Sequence, residues 1–590
     1  MRDDTKKTLW REWLFLAVVI PLYGFVAFYS LGDRTAPQTY AVIDNQSGPL
    51  YFEVEEAPAS VALYCPVNSA TKYIDITISA SANQMDWPVA FDTDDDPKDY
   101  TAAMIWYDYP LSCNNDTQYI RIDKHPASNR LVLAEIGFYN QEGSLIRAKA
   151  LSENGGLVLD EPQTICRDSN RMNSAYFDES YFPSSALEMQ DGLSVAEMDH
   201  PPVGRLIIGM GMNLWGRNPF GFRFMQVFSG ILMLPLLYFC GRSLLKSPKW
   251  AGIVTILLAL DFMHYTQTRI GTLDAFLVLF ILGMYGFMVF YHNSQSLWRR
   301  YLFLLLSGVC AGCAIGTKWS GLYGAAGLAL LYFFWLFQRI RFAWGTERRA
   351  ILHECTWCIL CFIMIPCLIY GLSYIPYAQT LGRSDFYGVA IEHAKQMLSY
   401  HTGTSTNYNH PYSSHWWTWF LALKPVFYYF EPAPANIYLY ATGNPLVWGF
   451  GLVGAFYALW RGVCRLDDGG LVIATAYFSQ LIPWIFITRD TFLYHYFPMV
   501  PFLILALGYF FQNTCTHPRI VGYRNLFIGI YLCAVVASFV VAFPFIYGSG
   551  IFWESILRIR LALQVSALLF GVLYSGLLIW AYCLKKKERL

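Results

Sequence analysis

Two adjacent carboxylates, Asp178 and Glu179, stand in the segment AYFDESYF that begins at Ala175, shortly before a long apolar stretch. A carboxylate held beside a bilayer can take the proton from an attacking hydroxyl, and a cation at membrane depth can hold a lipid phosphate. Arg223 opens the next apolar segment, in PFGFRF, and Arg269 in TRIGTLDAF and Lys318 in GTKWSG add two further cations. Asp178 and Glu179 are therefore the candidate catalytic carboxylates. Arg223, Arg269 and Lys318 are the expected clamp on a phosphate. For Arg269 an ion pair with Asp274 is a competing structural reading. A third set of residues lies further on, in YHTGTSTNYNHPYSSHWWTWFLALKP (Tyr400 to Pro425) and TRDTFLYHYFP, where Arg489 and Asp490 precede His495. His410, Trp416, Trp417 and His495 are the expected substrate contacts, because aromatic faces stack on the apolar faces of sugars. Tryptophan also favours the headgroup zone, so an interfacial belt accounts for the tryptophans equally well.

These residues must be positioned by membrane helices. The chain has 590 residues, 55% of them hydrophobic and only 14% charged, which excludes a soluble enzyme. Its formal net charge is zero, and no basic run suggests nucleic acid as a partner. About twelve apolar runs are long enough to span a hydrocarbon core. They begin near Leu14, Gly221, Trp250, Gly271, Tyr301, Ser320, Ile351, Asn444, Leu471, Phe492, Asn525 and Leu561, with those near Trp250 and Tyr301 short or interrupted. Lysines and arginines collect in alternate connecting segments. With the N-terminus inside, that pattern puts Asp178, Glu179 and the loop 375–443 on the outer face of an inner or plasma membrane. The first run reads as an uncleaved anchor.

The expected organisation is an N-terminal anchor (1–31), an extracytoplasmic β-rich domain (32–163), a catalytic loop (164–220), transmembrane helices (221–374), an outer loop (375–443) and C-terminal helices with a basic tail (444–590). The β-rich assignment rests on period-two alternation in Tyr73–Ser79, Thr117–Asp123 and Leu131–Tyr139, separated by Asn, Asp, Pro and Gly clusters. A small antiparallel sandwich follows, which serves as a carbohydrate-binding module or as a spacer or docking domain. The acidic run Asp92 to Asp99 offers oxygen ligands but lacks the Gly and distal Glu of an EF-hand loop, so a solvated turn is expected there. Cys65, Cys113 and Cys166 fall on the oxidising side, where Cys65 with Cys113 could staple the sandwich. The CxxC spacings at Cys310 and Cys355 lie in apolar helices without polar ligands and read as core residues.

Six segments in order, FDESYF, HPPVGRLIIGMGMNLWGRNPFGFRF, RIGTLDAF, GTKWSGLY, HPYSSHWWTW and TFLYHYFPMVPF, resemble the protein O-mannosyltransferase family in its bacterial branch, over about Tyr176 to Phe511. The resemblance implies a polytopic C-type glycosyltransferase (GT-C) fold, here with an inserted β-sandwich-like domain that departs from the family pattern. It implies an inverting enzyme with mannose on a polyprenyl phosphate as donor and Ser or Thr hydroxyls of exported proteins as acceptor. Asp178 matches the family's catalytic aspartate, Glu179 its neighbour and Arg223 the arginine of the PFGxR segment. No cofactor or metal is implied at the site, a divalent cation and the oligomeric state being left open. A glycolipid, lipid A or cell-wall polymer is the alternative acceptor. A transporter or flippase is the reading from a different class, against which stands the lack of an internal repeat.

Overall fold

The computed structural model describes residues 2–68, 75–95, 103–126, 128–402, 410–432, 434–548 and 554–588. Among them eleven helices are long and apolar enough to cross a membrane, each within a few residues of an expected run. The exception is the run near Trp250, where the helix Pro248–Ala259 has only 12 residues. At about 1.5 Å per residue it spans roughly 18 Å, too little for a bilayer core. Asp261 explains the break: its carboxylate caps the short helix Phe262–Gln267 by accepting from the His264 backbone N–H at 3.1 Å, and accepts the Trp448 indole N–H at 2.8 Å. A buried carboxylate that starts a new helix ends the old one.

The helical segment Gly321–Ile359 runs on through the inner basic stretch. It folds back on itself, since Arg339 Nη1 donates to Glu354 Oε1 at 2.8 Å with a separation of 15 residues. A straight helix would hold those residues about 22 Å apart. Two crossings, 321–342 and 347–380, therefore stand side by side, as the expected runs require.

The polar N-terminal insertion is a β-sandwich. One antiparallel sheet orders the strands Ala148–Ala150, Leu50–Val54, Tyr119–Lys124, Ile76–Ser81 and Val89–Asp92; the other orders Leu145–Ile146, Glu135–Tyr139, Ser60–Cys65 and Ile105–Pro110. Phe52, Ile78, Ile120 and Ile122 from the first meet Leu63, Ile136 and Phe138 from the second in one core. The expected strand over Leu131–Tyr139 is two strands. Arg130–Leu133 pairs with Ala41–Asp44, and Ala134 turns the chain into the second sheet by donating its N–H to the Tyr64 carbonyl at 2.9 Å. Tyr73, Ile74 and Asp96 to Asp99 lie outside the described residues. The cysteines whose pairing the sequence left open, Cys65, Cys113 and Cys166, are all free thiols. Cys65 is wholly buried in the sandwich core, and burial pushes its thiol up.

The sandwich is not merely tethered. Ala62, Tyr64, Trp106, Val132 and Ala134 share a second core with Phe182, Ala186, Leu187, Ile208, Met212 and Phe222 of the helices after the carboxylate motif. Across that contact Arg130 Nη2 reaches Glu188 Oε1 at 2.5 Å, and both side chains are buried. Removing these apolar faces from water at about 25 cal/mol per Å² makes the inserted domain part of the frame that positions Asp178.

Candidate active site

The motif Phe177–Ser180 forms a single 3-10 turn between Tyr176 and the helix Phe182–Asp191. Phe177 has φ +54°, a left-handed conformation that is strained for a bulky side chain. Its ring is held there by stacking on Tyr428, with centroids 4.3 Å apart, and by an edge contact with Tyr494 at 6.2 Å. The turn sends the two carboxylates to opposite fates.

Glu179 points inward and is fully buried. Arg223 donates Nε–H to Glu179 Oε1 at 2.7 Å and Nη2–H to Oε2 at 2.6 Å, and the Gly271 N–H donates to Oε1 at 2.6 Å. Arg223 Nη1 donates to the carbonyls of Leu31 at 3.0 Å and Arg171 at 2.7 Å, and Nη2 also to that of Ser174 at 2.9 Å. A guanidinium has five N–H donors, and all are spent on protein. This corrects the expectation for Arg223. It is a strut that ties the catalytic turn to the end of the first helix, with no donor left for a phosphate.

Asp178, on the same turn, is only half-buried, and among the described residues no hydrogen bond to its carboxylate is found. Burial raises its pKa from 3.8 to about 7; the Lys318 charge lowers it, and Asp199, Asp274 and Glu197 raise it. A carboxylate of that pKa is poised as a base near neutral pH.

Lys318 caps the helix Leu297–Thr317 and meets Asp274, the first residue of Asp274–Asn293, at 2.9 and 3.0 Å from its two oxygens. The partner of Asp274 is therefore Lys318, not Arg269. One of the three ammonium donors of Lys318 remains for a ligand. Arg269 is buried and bound elsewhere: its Nη1 donates to the Tyr265 hydroxyl at 2.9 Å, its Nη2 to the carbonyls of Tyr29 and Ser30, each at 3.0 Å, and its guanidinium lies 4.6 Å from the Tyr547 ring centre. These bonds lock the first helix to the bundle and use three of its five N–H donors, Nε being buried without a partner among the described residues, so that of the expected clamp only Arg223 has every donor spent.

Of the expected substrate contacts, His495 packs its ring on Trp484 at 4.6 Å and at 4.7 Å on Tyr494, on which the Asp178 charge acts. His410 meets the edge of Phe492 at 5.1 Å, and its backbone N–H donates to Asp490 at 3.1 Å, which ties the outer loop to the TRDTFLYHYFP segment. Trp416 packs on Phe420 at 6.0 Å. Trp417 is 55% exposed; among the described residues its ring stacks on His415 and meets Trp416 edge-on. The buried tryptophan is Trp419, whose indole donates to Ser414 Oγ at 3.1 Å.

Tyr428, Tyr494 and Asp199 complete the site unforeseen, together with Arg489, which the sequence grouped with His495 without a role. Tyr428 comes from the hairpin of Val426–Glu431 with Ile437–Ala441, and its hydroxyl donates to Gln267 Oε1 at 3.0 Å. Tyr494 feels Asp178 and Asp274 as its strongest charges. Asp199 is held by Arg205 at 2.8 Å, while Arg205 also donates to Ser185 Oγ and the His200 carbonyl. Arg489 is exposed, and among the described residues none hydrogen-bonds or pairs with its guanidinium; its charge acts on Tyr494, His495 and Tyr323. For Tyr494 and Arg489 the signal in the sequence was the density of aromatic and charged residues in TRDTFLYHYFP, whereas Tyr428 and Asp199 lie just outside the quoted segments.

Volume alone would mislead. A cavity of about 510 Å³ is lined by Lys246, His292, Arg465 and Asp468 at the opposite ends of the helices. A second, about 460 Å³ and almost wholly apolar, lies between the crossings 321–342 and 347–380, which contribute Tyr332 and Phe362 among others, with Met288, Ala311 and Ile315 of the helices that start at Asp274 and end before Lys318 on its remaining side.

Comparison with known proteins gives the context for this geometry. The family model for dolichyl-phosphate-mannose-protein mannosyltransferase matches residues 214–381, and that for the C-terminal four-span region of protein O-mannosyltransferase matches 386–562. The chain belongs to the protein O-mannosyltransferase family. It is similar to a polyprenol-phosphate-mannose–protein mannosyltransferase of Mycobacterium tuberculosis, 25% identical over 434 residues, which covers 63% of this chain and 82% of that one. A relative of the same description from Mycolicibacterium smegmatis is 25% identical over 435 residues, covering 63% and 84%. Among solved structures, the Saccharomyces cerevisiae protein O-mannosyltransferase Pmt1–Pmt2 complex bound to the sugar donor matches with TM-score 0.59 at 16% identity, over 66% of this chain and 88% of that one. The protein O-mannosyltransferase architecture and its GT-C fold thus agree with the helical part. The β-sandwich and the Asp178–Glu179 turn precede the first residue matched by the family models.

Proposed function

We propose that this chain is an inverting transferase that moves mannose from a polyprenyl-phosphate carrier to Ser or Thr hydroxyls of exported proteins, at the extracytoplasmic face of the membrane. Family membership supports the donor and the reaction class; the observation that carries the assignment of roles is Asp178, unbonded, with its pKa raised to about 7 and Lys318 beside it. Asp178 takes the proton of the acceptor hydroxyl as its oxygen bonds to C1 of mannose. The bond from C1 to the phosphate oxygen breaks on the opposite face, and the polyprenyl phosphate leaves with the electron pair. Lys318 and Arg489 receive the charge that accumulates on it, since fixed positive charge is worth most where water is excluded.

The apolar cavity suits the carrier chain. Ile315, in its lining, lies about one helical turn below Lys318, so a phosphate at Lys318 would let the isoprenoid run down between the helices. Phosphate is already a good leaving group, so no second carboxylic acid is needed, and Glu179 is accordingly free to serve as the partner of Arg223. Tyr428, Tyr494 and His495 would form the walls against which the sugar is held.

The outer-face placement rests on the lysines and arginines that collect at the other helix ends. The experiment that tests this reading offers the purified enzyme labelled polyprenyl-phosphate mannose with a Ser/Thr peptide and a lipid extract side by side. Label in the peptide is expected; label only in lipid would transfer the enzyme to glycolipid modification.

A further inference from the structure

Far from the catalytic turn, where the sandwich meets the chain on either side of it, three carboxylates converge. One oxygen each from Glu135, Asp160 and Glu161 lies within 4.8 Å of the others. Such a cluster on a surface would be ordinary, but Glu135 is not on the surface. It begins the strand Glu135–Tyr139, is fully buried, and its Oε1 has no hydrogen-bond partner. Its other oxygen accepts only the Glu161 backbone N–H at 3.0 Å. The two side-chain charges that act on it are those of Asp160 and Glu161, both of its own sign.

The remaining neighbours are also arranged as oxygen ligands. The Thr39 hydroxyl sits 3.0 and 3.1 Å from the two Asp160 oxygens and 3.2 Å from Glu161 Oε2. It has one proton to give and keeps a lone pair. Glu161 Oε2 further accepts the backbone N–H groups of Gln38 at 2.6 Å and Thr39 at 3.1 Å. Oxygen ligands of one calcium ion stand at most roughly 4.6–5.2 Å apart, twice the usual Ca–O distance, and the three oxygens here all lie within 4.8 Å of one another. Magnesium asks for a smaller octahedron and parts reluctantly with its waters.

We infer that Glu135, Asp160 and Glu161, with Thr39, form a calcium site that pins the sandwich to the two chain segments flanking it. The ion would join a strand of the sandwich to residues 38–39, which come from the first membrane helix, and to residues 160–161, which lead to Asp178. Its function is to fix the inserted domain against the catalytic frame, with no part in the transfer step. The other carboxylate group of the sandwich, Asp92 with Asp94 and His125, differs in that none of its three members is buried and Asp94 Oδ2 already lies 3.1 Å from His125 Nε2. It serves as the control.

The test uses the full chain in detergent, stripped with a chelator, and reads calorimetric titration with calcium chloride together with thermal unfolding. Expected are one saturable site with a dissociation constant on the order of 10⁻⁴–10⁻³ M, as in extracellular modules, and a rise in Tm. Both responses should vanish in Asp160→Asn and Glu135→Gln and persist in Asp94→Asn. Asp160 is exposed, so its variant keeps the fold even where Glu135→Gln does not. No heat and no change in Tm at millimolar calcium would overturn the inference, and so would a response unchanged in Asp160→Asn or an equal response to magnesium. None of these outcomes depends on transferase activity.

Discussion

Replacing Arg223 by methionine separates a strut from a phosphate ligand. The side chain is 1% exposed and its partner Glu179 is 0% exposed, with N–O distances of 2.7 and 2.6 Å. Removing one member of a buried ion pair costs about 3–5 kcal/mol, because the other charge stays behind unpaired. The carbonyls of Leu31, Arg171 and Ser174 lose a donor as well, each at roughly 1 kcal/mol. Glu179→Gln should be milder, since Arg223 keeps its three carbonyls. The double variant Glu179→Gln/Arg223→Met should be less destabilised than the sum of the singles, by about 1–3 kcal/mol. Unfolding in detergent reads these differences, and equilibrium binding of polyprenyl-phosphate mannose to the folded fraction reads the ligand. Arg223→Met is expected to lose stability while its folded fraction binds donor within a few-fold of wild type. A variant as stable as wild type that binds donor a hundredfold more weakly would refute the strut.

Other expectations concern the base and its surroundings. Transfer should fall about tenfold per pH unit below about 7, because Asp178 must be ionised to act and its pKa is raised to about 7; a flat profile from pH 5 to 8 would exclude it as the titrating base. The same shift has a stability sign. A carboxyl raised from 3.8 to about 7 stabilises the fold when protonated and loses that contribution as pH rises through 7, so Asp178→Asn should melt above wild type at pH 8 and level with it near pH 4. Lys318→Met removes the charge that lowers Asp178 and leaves Asp274 unpaired, so the acid limb should move up by about 1–3 pH units. At Phe177, with φ +54°, Gly should be more stable than Ala by about 1 kcal/mol in a pairwise unfolding comparison. Arg130→Met should loosen the sandwich from the catalytic helix by about 3–5 kcal/mol, seen as earlier proteolysis between them.

Much of the frame was legible from residues alone, because an apolar run of bilayer length has few other uses. The departures have local causes. The run near Trp250 reads as a span until Asp261 is seen to start a second helix, and the alternation over Leu131–Tyr139 hides the change of sheet at Ala134. The site was legible in its residue types but not in its pairings. Nothing in the sequence tells that Glu179 meets Arg223 across 44 residues, or that Lys318 takes Asp274 across 44. Both depend on how helices pack. Tyr428 was invisible for a similar reason, since it reaches Phe177 only through the hairpin of the outer loop. Glu135 escaped because a single carboxylate at the head of a strand looks solvated until its burial is known.

The central claim is that Asp178 is the base and that the other charged groups around it hold or brace. Single-turnover transfer of labelled mannose from the polyprenyl-phosphate carrier to a Ser/Thr peptide, wild type against Asp178→Asn with donor affinity measured on the same samples, tests it most directly. The account predicts that Asp178→Asn binds donor as wild type does and transfers nothing above background; transfer by Asp178→Asn at a rate near wild type would contradict it.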